Sequence, residues 1–175
     1  MKVNCKKTQL LIDSPPNGFE NDAFISIRGE KIISSDKLKL LGFMFGKDPN
    51  VGSHVAEIKR KFRSRYWALI HLRKSGFLGK ELFKLYNVFV RPVIEYCCVV
   101  YHPLLTRSQT QEIERLQKQV AKLAYGWDRS YQVICEEENI QTPQERREQY
   151  IDKFVAKTLK NPRFNARWFL SLIHI

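Results

Sequence analysis

No stretch of this sequence stays apolar for the roughly eighteen residues that a membrane-spanning helix needs, and no signal-peptide core opens it. The expectation is a protein that is not secreted, has no membrane partner and works in the cytoplasm or the nucleus. Cysteine is scarce. Cys5, Cys97, Cys98 and Cys135 form no C-x-x-C, and the four histidines do not stand at ligand spacing from them. That removes the common zinc patterns and fits a reducing compartment. There is no G-x-S-x-G elbow for a nucleophilic serine. Nor is there a glycine-rich phosphate loop, because Gly42 and Gly46 lie in a strand pattern with no Lys-Ser/Thr after them. Cys97 and Cys98 have apolar neighbours, where inert core thiols are the rule. Internal repeats are absent.

What is present is apolar mass and positive charge. A chain of 175 residues, 43% hydrophobic and 12% aromatic, can build a core in one domain with at most a small appendage. The net charge of +12 is focused: residues 54–103 hold 10 Lys/Arg against 3 Asp/Glu. Residues 1–53 hold 8 against 6, and residues 104–175 hold 12 against 9. Such focusing favours a polyanionic partner, nucleic acid before membrane.

The pattern along the chain is α+β and mainly α, with short N-terminal antiparallel strands followed by a bundle of about four helices. MKVNCKKTQLLID reads as a short strand and SPPNGFEND as a turn-rich loop. AFISIRGEKIISS alternates about Gly29-Glu30, which predicts a hairpin of residues 24–28 and 31–34 with a type II′ turn. KLKLLGFMFG predicts a third strand, or a strand with a bulge at Gly42. Helices follow, the first capped by Ser53 and ending at Ser75-Gly76. The second run, GKELFKLYNVFVRPVIEYCCVVYHP, is apolar on several sides and is kinked or split by Pro92. Thr106-x-x-Gln109 or Ser108-x-x-Gln111 starts the third, with Ile113, Leu116, Val120 and Leu123 on one stripe and Gly126 at its end. WDRSYQVICEEENIQ reads as irregular. Thr142-Pro143-Gln144-Glu145 starts the last helix, whose stripe is Tyr150, Ile151, Phe154, Val155 and Leu159.

The first helix carries two stripes. Val55, Ile58, Phe62, Tyr66 and Leu69 recur at three- and four-residue steps and face a core. Arg60, Arg63, Trp67, His71 and Lys74 recur at the same steps beside them. Guanidinium, ammonium and indole on one rod suit a phosphate backbone and the face of a nucleotide. The competing reading is a solvated basic face with Trp67 packed under a neighbouring helix.

The order of these features resembles the palm edge and thumb of a reverse transcriptase from a non-LTR (LINE-type) retrotransposon. Asn4-Cys5-Lys6-Lys7-Thr8 resembles the N-x-x-K-T after the catalytic turn, and Lys39-Leu40-Leu41-Gly42 the K-x-L-G of the primer-grip region. His54-Val55, Leu85-Tyr86, Pro92, Tyr96 and Leu116-Gln117 resemble its helical thumb, and Arg146-Arg147 an R-R pair beyond. The resemblance divides the chain into a palm-edge strand and primer-grip-like hairpin (1–53) and a thumb-like domain (54–169). It implies a thumb that holds an RNA template and an RNA–DNA or DNA primer duplex without sequence preference. It also implies a Lys7 near the incoming nucleotide and a palm and fingers portion elsewhere in the parent enzyme.

The departure is the absence of the family's Asp-Asp turn. In that family Mg²⁺ is held by palm carboxylates, whereas no two of the six aspartates here are adjacent. The expectation is therefore a non-catalytic fragment without a cofactor of its own, Met1 being an internal methionine or the start of a truncated frame. The alternatives are a stand-alone basic helical module that binds nucleic acid, or an inactive transposon relic. Residues 170–175, LSLIHI, can be written by CTG TCT CTT ATA CAC ATC, the transposon end of sequencing-library adapters, and are expected to be adapter-derived.

Overall fold

A computed structural model describes residues 4, 8–12, 24–46 and 51–161. Lys7 and the adapter-like tail lie outside the described residues.

Two antiparallel hairpins come first. Strand β1 (Phe24–Ile27) pairs with β2 (Glu30–Ile33), and β3 (Lys37–Leu40) pairs with β4 (Phe43–Gly46). The first hairpin was expected to turn at Gly29-Glu30. Instead Ile27 pairs with Glu30, so Arg28 and Gly29 form the turn, with φ of 55° and 81°. Two consecutive positive φ values make it a type I′ turn rather than II′. The second hairpin repeats the device at Leu41 (φ 48°) and Gly42 (φ 85°), so Gly42 is a turn residue and not a bulge. Gly42 has a further constraint: a Cβ there would lie 3.0 Å from Tyr96 Cε1. The hairpins do not form one sheet. Residues 9 and 10 tether both, through a parallel bridge of Leu10 to Ser34 and a hydrogen bond from Lys39 N to Gln9 Oε1 (3.2 Å).

Seven α-helices follow among the described residues, more than the four expected. Helix α1 (Gly52–Lys74) begins after Val51 with no side-chain cap, so Ser53 lies inside its first turn. The apolar second run is divided: α2 (Gly79–Phe89), α3 (Arg91–Glu95) and α4 (Cys98–Tyr101), then a 3-10 turn at His102–Leu104. Pro92 has no N–H to continue α2 and instead occupies the first turn of α3. Helix α5 (Arg107–Tyr125) has a full capping box. Gln109 N donates to Thr106 Oγ1 (3.2 Å) and Thr106 N to Gln109 Oε1 (2.9 Å). The stretch read as irregular contains α6 (Tyr131–Glu137), and α7 (Pro143–Leu159) starts with the box of Thr142 and Glu145.

Helix α5 is the centre of the bundle and packs against α1, α2, α6 and α7. The core joins Val55, Ile58, Phe62 and Leu69 of α1 to Leu82 and Tyr86 of α2, and to Ile113, Val120 and Ala121 of α5. Phe43 of β4 inserts into the same cluster, which fastens the second hairpin to α1. Gln117 is fully buried and satisfied. It accepts from Tyr86 Oη (3.0 Å) and donates to Tyr131 Oη (3.1 Å) and to the Gln141 carbonyl (2.8 Å). The stripe expected on α7 is not core. Its buried residues are Pro143 and Arg147, whereas Tyr150, Phe154 and Leu159 are 39%, 42% and 51% exposed. Packing on α3, α4 and α5 engages the first turns of α7 and leaves the apolar side chains beyond them outside the core.

Candidate nucleic-acid interface

Arg60, Arg63, Trp67, His71 and Lys74 do not run beside the apolar stripe as expected: at about 100° per residue they lie roughly opposite the buried side of α1. All five side chains are exposed, Trp67 at 58%, so the packed reading of the indole is wrong. Their charges are not equally available. Arg60 already grips Glu57 through two hydrogen bonds, Nε to Oε2 (2.7 Å) and Nη2 to Oε1 (2.9 Å). Those contacts hold the Glu57 carboxyl down to about 2. Arg63 and Lys74 are in no ion pair among the described residues. His71 Nδ1 lies 2.8 Å from the Trp67 carbonyl, which can only accept, and its ring centroid is 6.3 Å from the indole. Trp67, His71 and the two unpaired cations thus form a surface that can meet phosphates and stack on a base.

Other α1 cations serve the scaffold. Arg65 donates to the Phe89 carbonyl (2.5 Å), Arg73 donates to that of Leu123, and Lys59 pairs with Glu112 (2.7 Å). Arg65 also lines a second feature, a groove of about 310 Å³ under the β3–β4 turn. Lys39, Lys61 and Arg65 bring positive charge to it against Glu57, with His54 and Tyr96 in the wall. Spacing alone does not group Lys39, Lys61 and Arg65. Lys61 and Arg65 are one helical turn apart, but only tertiary packing brings Lys39 to them.

The residues that carry the family resemblance are mostly structural here. Tyr96 Oη donates to the Leu41 carbonyl (2.5 Å), docking the second hairpin's turn on the helices. His54 is buried, stacks on Phe43 with centroids 4.3 Å apart, and accepts from Met44 N through Nδ1 (3.4 Å). Arg146 donates to Glu95, and the fully buried Arg147 reaches Glu114 and His102.

Burial, with help from Lys61 and against Glu57, lowers the His54 pKa below 6.5. Burial and Arg147, against Glu148, do the same for His102. As pH falls through 6.5 the unfolded chain therefore binds protons first, so stability present above 6.5 is lost toward the folded values. Glu114, raised mainly by burial, acts in the opposite sense. Urea unfolding at stepped pH should show this loss, and it should flatten in His54→Gln/His102→Gln. An equally steep loss in that double variant would contradict the assignment.

Comparison with known proteins gives no match: no family model, curated protein or solved structure is significantly similar to the chain.

Proposed function

We propose that this chain is the thumb region, with an adjoining palm-edge hairpin, of an RNA-directed DNA polymerase of the non-LTR retrotransposon type. In this reading it holds a template–primer duplex by its phosphates, without reading sequence. The observation that carries it is the outward face of α1, where Arg63, Trp67, His71 and Lys74 are exposed together opposite the core. Further support comes from residues distant in sequence. The Lys39-to-Gly42 turn, His54 and Tyr96 meet at one groove, although the resemblance rests on each separately. The partners are an RNA template, its primer and the palm and fingers of the parent enzyme, in the cytoplasm or nucleus. No helix among the described residues is long and apolar enough to cross a membrane.

The donor set does not fit the family's two-metal centre. No aspartates are adjacent in the sequence, and no group of three or more His, Cys, Asp or Glu among the described residues is placed to hold a metal. Binding and catalysis therefore separate: the purified chain should bind a template–primer duplex yet extend no primer with Mg²⁺ or Mn²⁺. Template-dependent incorporation above a no-protein blank would contradict this. Trp67→Ala tests the face itself by fluorescence anisotropy with a labelled duplex. Affinity should fall while the melting temperature stays put, because an indole this exposed contributes little to the core. Unchanged affinity removes Trp67 from the interface.

A further inference from the structure

A separate groove of about 710 Å³ opens between α2, α3 and the link from α6 into α7, a volume suited to a small ligand. One wall is built around a single carboxylate. Glu95, with a side chain 13% exposed, receives the Arg146 guanidinium at Oε1, and Arg91 Nε stands 4.0 Å from the same oxygen. Arg91 is fixed further by donation to Asn87 Oδ1 and by lying 5.5 Å over the Tyr86 ring. Its Nε is buried without a hydrogen-bond partner among the described residues. One carboxylate facing two guanidiniums leaves a positive charge, and exposed Lys84 adds another. The acids at the rim are already engaged, Glu138 by Lys80 (3.5 Å) and Glu137 by Arg129. The Tyr125 ring lines the same groove, and so does the Gln141 amide beside Arg146, whose Nη1 donates to Gln141 Oε1 (3.5 Å) and whose Nη2 donates to Tyr150 Oη (3.2 Å). Two guanidiniums held in place suit a phosphate dianion, and an aromatic ring in the same groove suits a base.

We propose that this groove binds a 5′-phosphorylated nucleoside, either free or as one unit of a single strand. The phosphate sits on Arg91 and Arg146 near Lys84, and the base lies against Tyr125. This site is distinct from the α1 face, and the proposal stands without the duplex reading.

Calorimetric titration of the full chain tests it with AMP, adenosine, inorganic phosphate and a short oligoadenylate. AMP should bind at least tenfold more tightly than adenosine or phosphate alone. Lys84→Gln and Arg91→Gln should each weaken AMP by roughly tenfold, the loss of one charged hydrogen bond. Lys84 is exposed, so its variant stays informative even if Arg91→Gln disturbs the fold. Tighter oligoadenylate than AMP identifies a strand as the source, and the reverse order a free nucleotide; either supports the site. Arg63→Gln/Lys74→Gln should leave AMP affinity unchanged, so failure of one site is separable from failure of the other. AMP binding no tighter than phosphate, or unaffected by both groove variants, overturns the proposal.

Discussion

Alanine at Arg147 is expected to cost about 3–5 kcal/mol of stability, lowering the melting temperature by roughly 10 °C in a chain of this size. Arg147 is fully buried on α7, its Nη2 3.4 Å from Glu114 Oε1 on α5 and its Nε donating to His102 Nδ1 (3.1 Å). Through these contacts one side chain joins α7 to α5 and to the 3-10 turn. Its removal leaves a cavity, and leaves Glu114, whose side chain is only 26% exposed, without its counter-charge. Charge and volume can be separated. Arg147→Met/Glu114→Gln refills the space and turns the orphaned carboxylate into a neutral amide, so it should recover most of the loss, since the chief cost of breaking a buried pair is the uncompensated charge. Thermal and urea unfolding would measure both variants. An unchanged melting temperature for Arg147→Ala would show that this buried pair is not what holds α7.

How much of this was legible follows from where the information lies. The starts of α5 and α7 are written in local chemistry, because Thr106 with Gln109 and Thr142 with Glu145 close their capping boxes within one turn. Alternation marks the first hairpin, but it leaves the turn ambiguous by one residue. Glycine serves either a II′ turn as first residue or an I′ turn as second, and the choice belongs to the register that buries Ile32. Helix α6 buries only Ile134, too little to show as a stripe beside the Glu136-Glu137-Glu138 run.

Periodicity alone also misled on α7. It identifies which residues share a face but not whether a neighbour covers that face, so the exposure of Tyr150, Phe154 and Leu159 was not readable. The same limit applies to Trp67, whose exposure is set by which neighbours pack around α1. On α1 the five outward residues could be named from spacing, whereas the pairing of Arg60 with Glu57 needed the rotamers. The two grooves depend on chain segments that meet only in the folded molecule. Lys39 of β3 lines one groove with Lys61 and Arg65 of α1, and Arg91 and Arg146 share the carboxylate of Glu95.

If the outward face of α1 grips phosphates, salt dependence reads it directly. Each phosphate neutralised on duplex DNA contributes about 0.9 to the slope of log K against log salt. Arg63 and Lys74 are in no ion pair among the described residues, while Arg60 must first give up its two hydrogen bonds to Glu57. Arg60→Gln/Arg63→Gln/Lys74→Gln should therefore flatten the slope by roughly two and weaken binding most at low salt. Glutamine keeps the helix propensity, and all three side chains are exposed, so fold loss should not imitate the effect. The measurement is a titration of a template–primer duplex by the parent chain and by this variant across a salt series. A slope flattened by about two is the expected result; a slope identical to the parent's would contradict the interface.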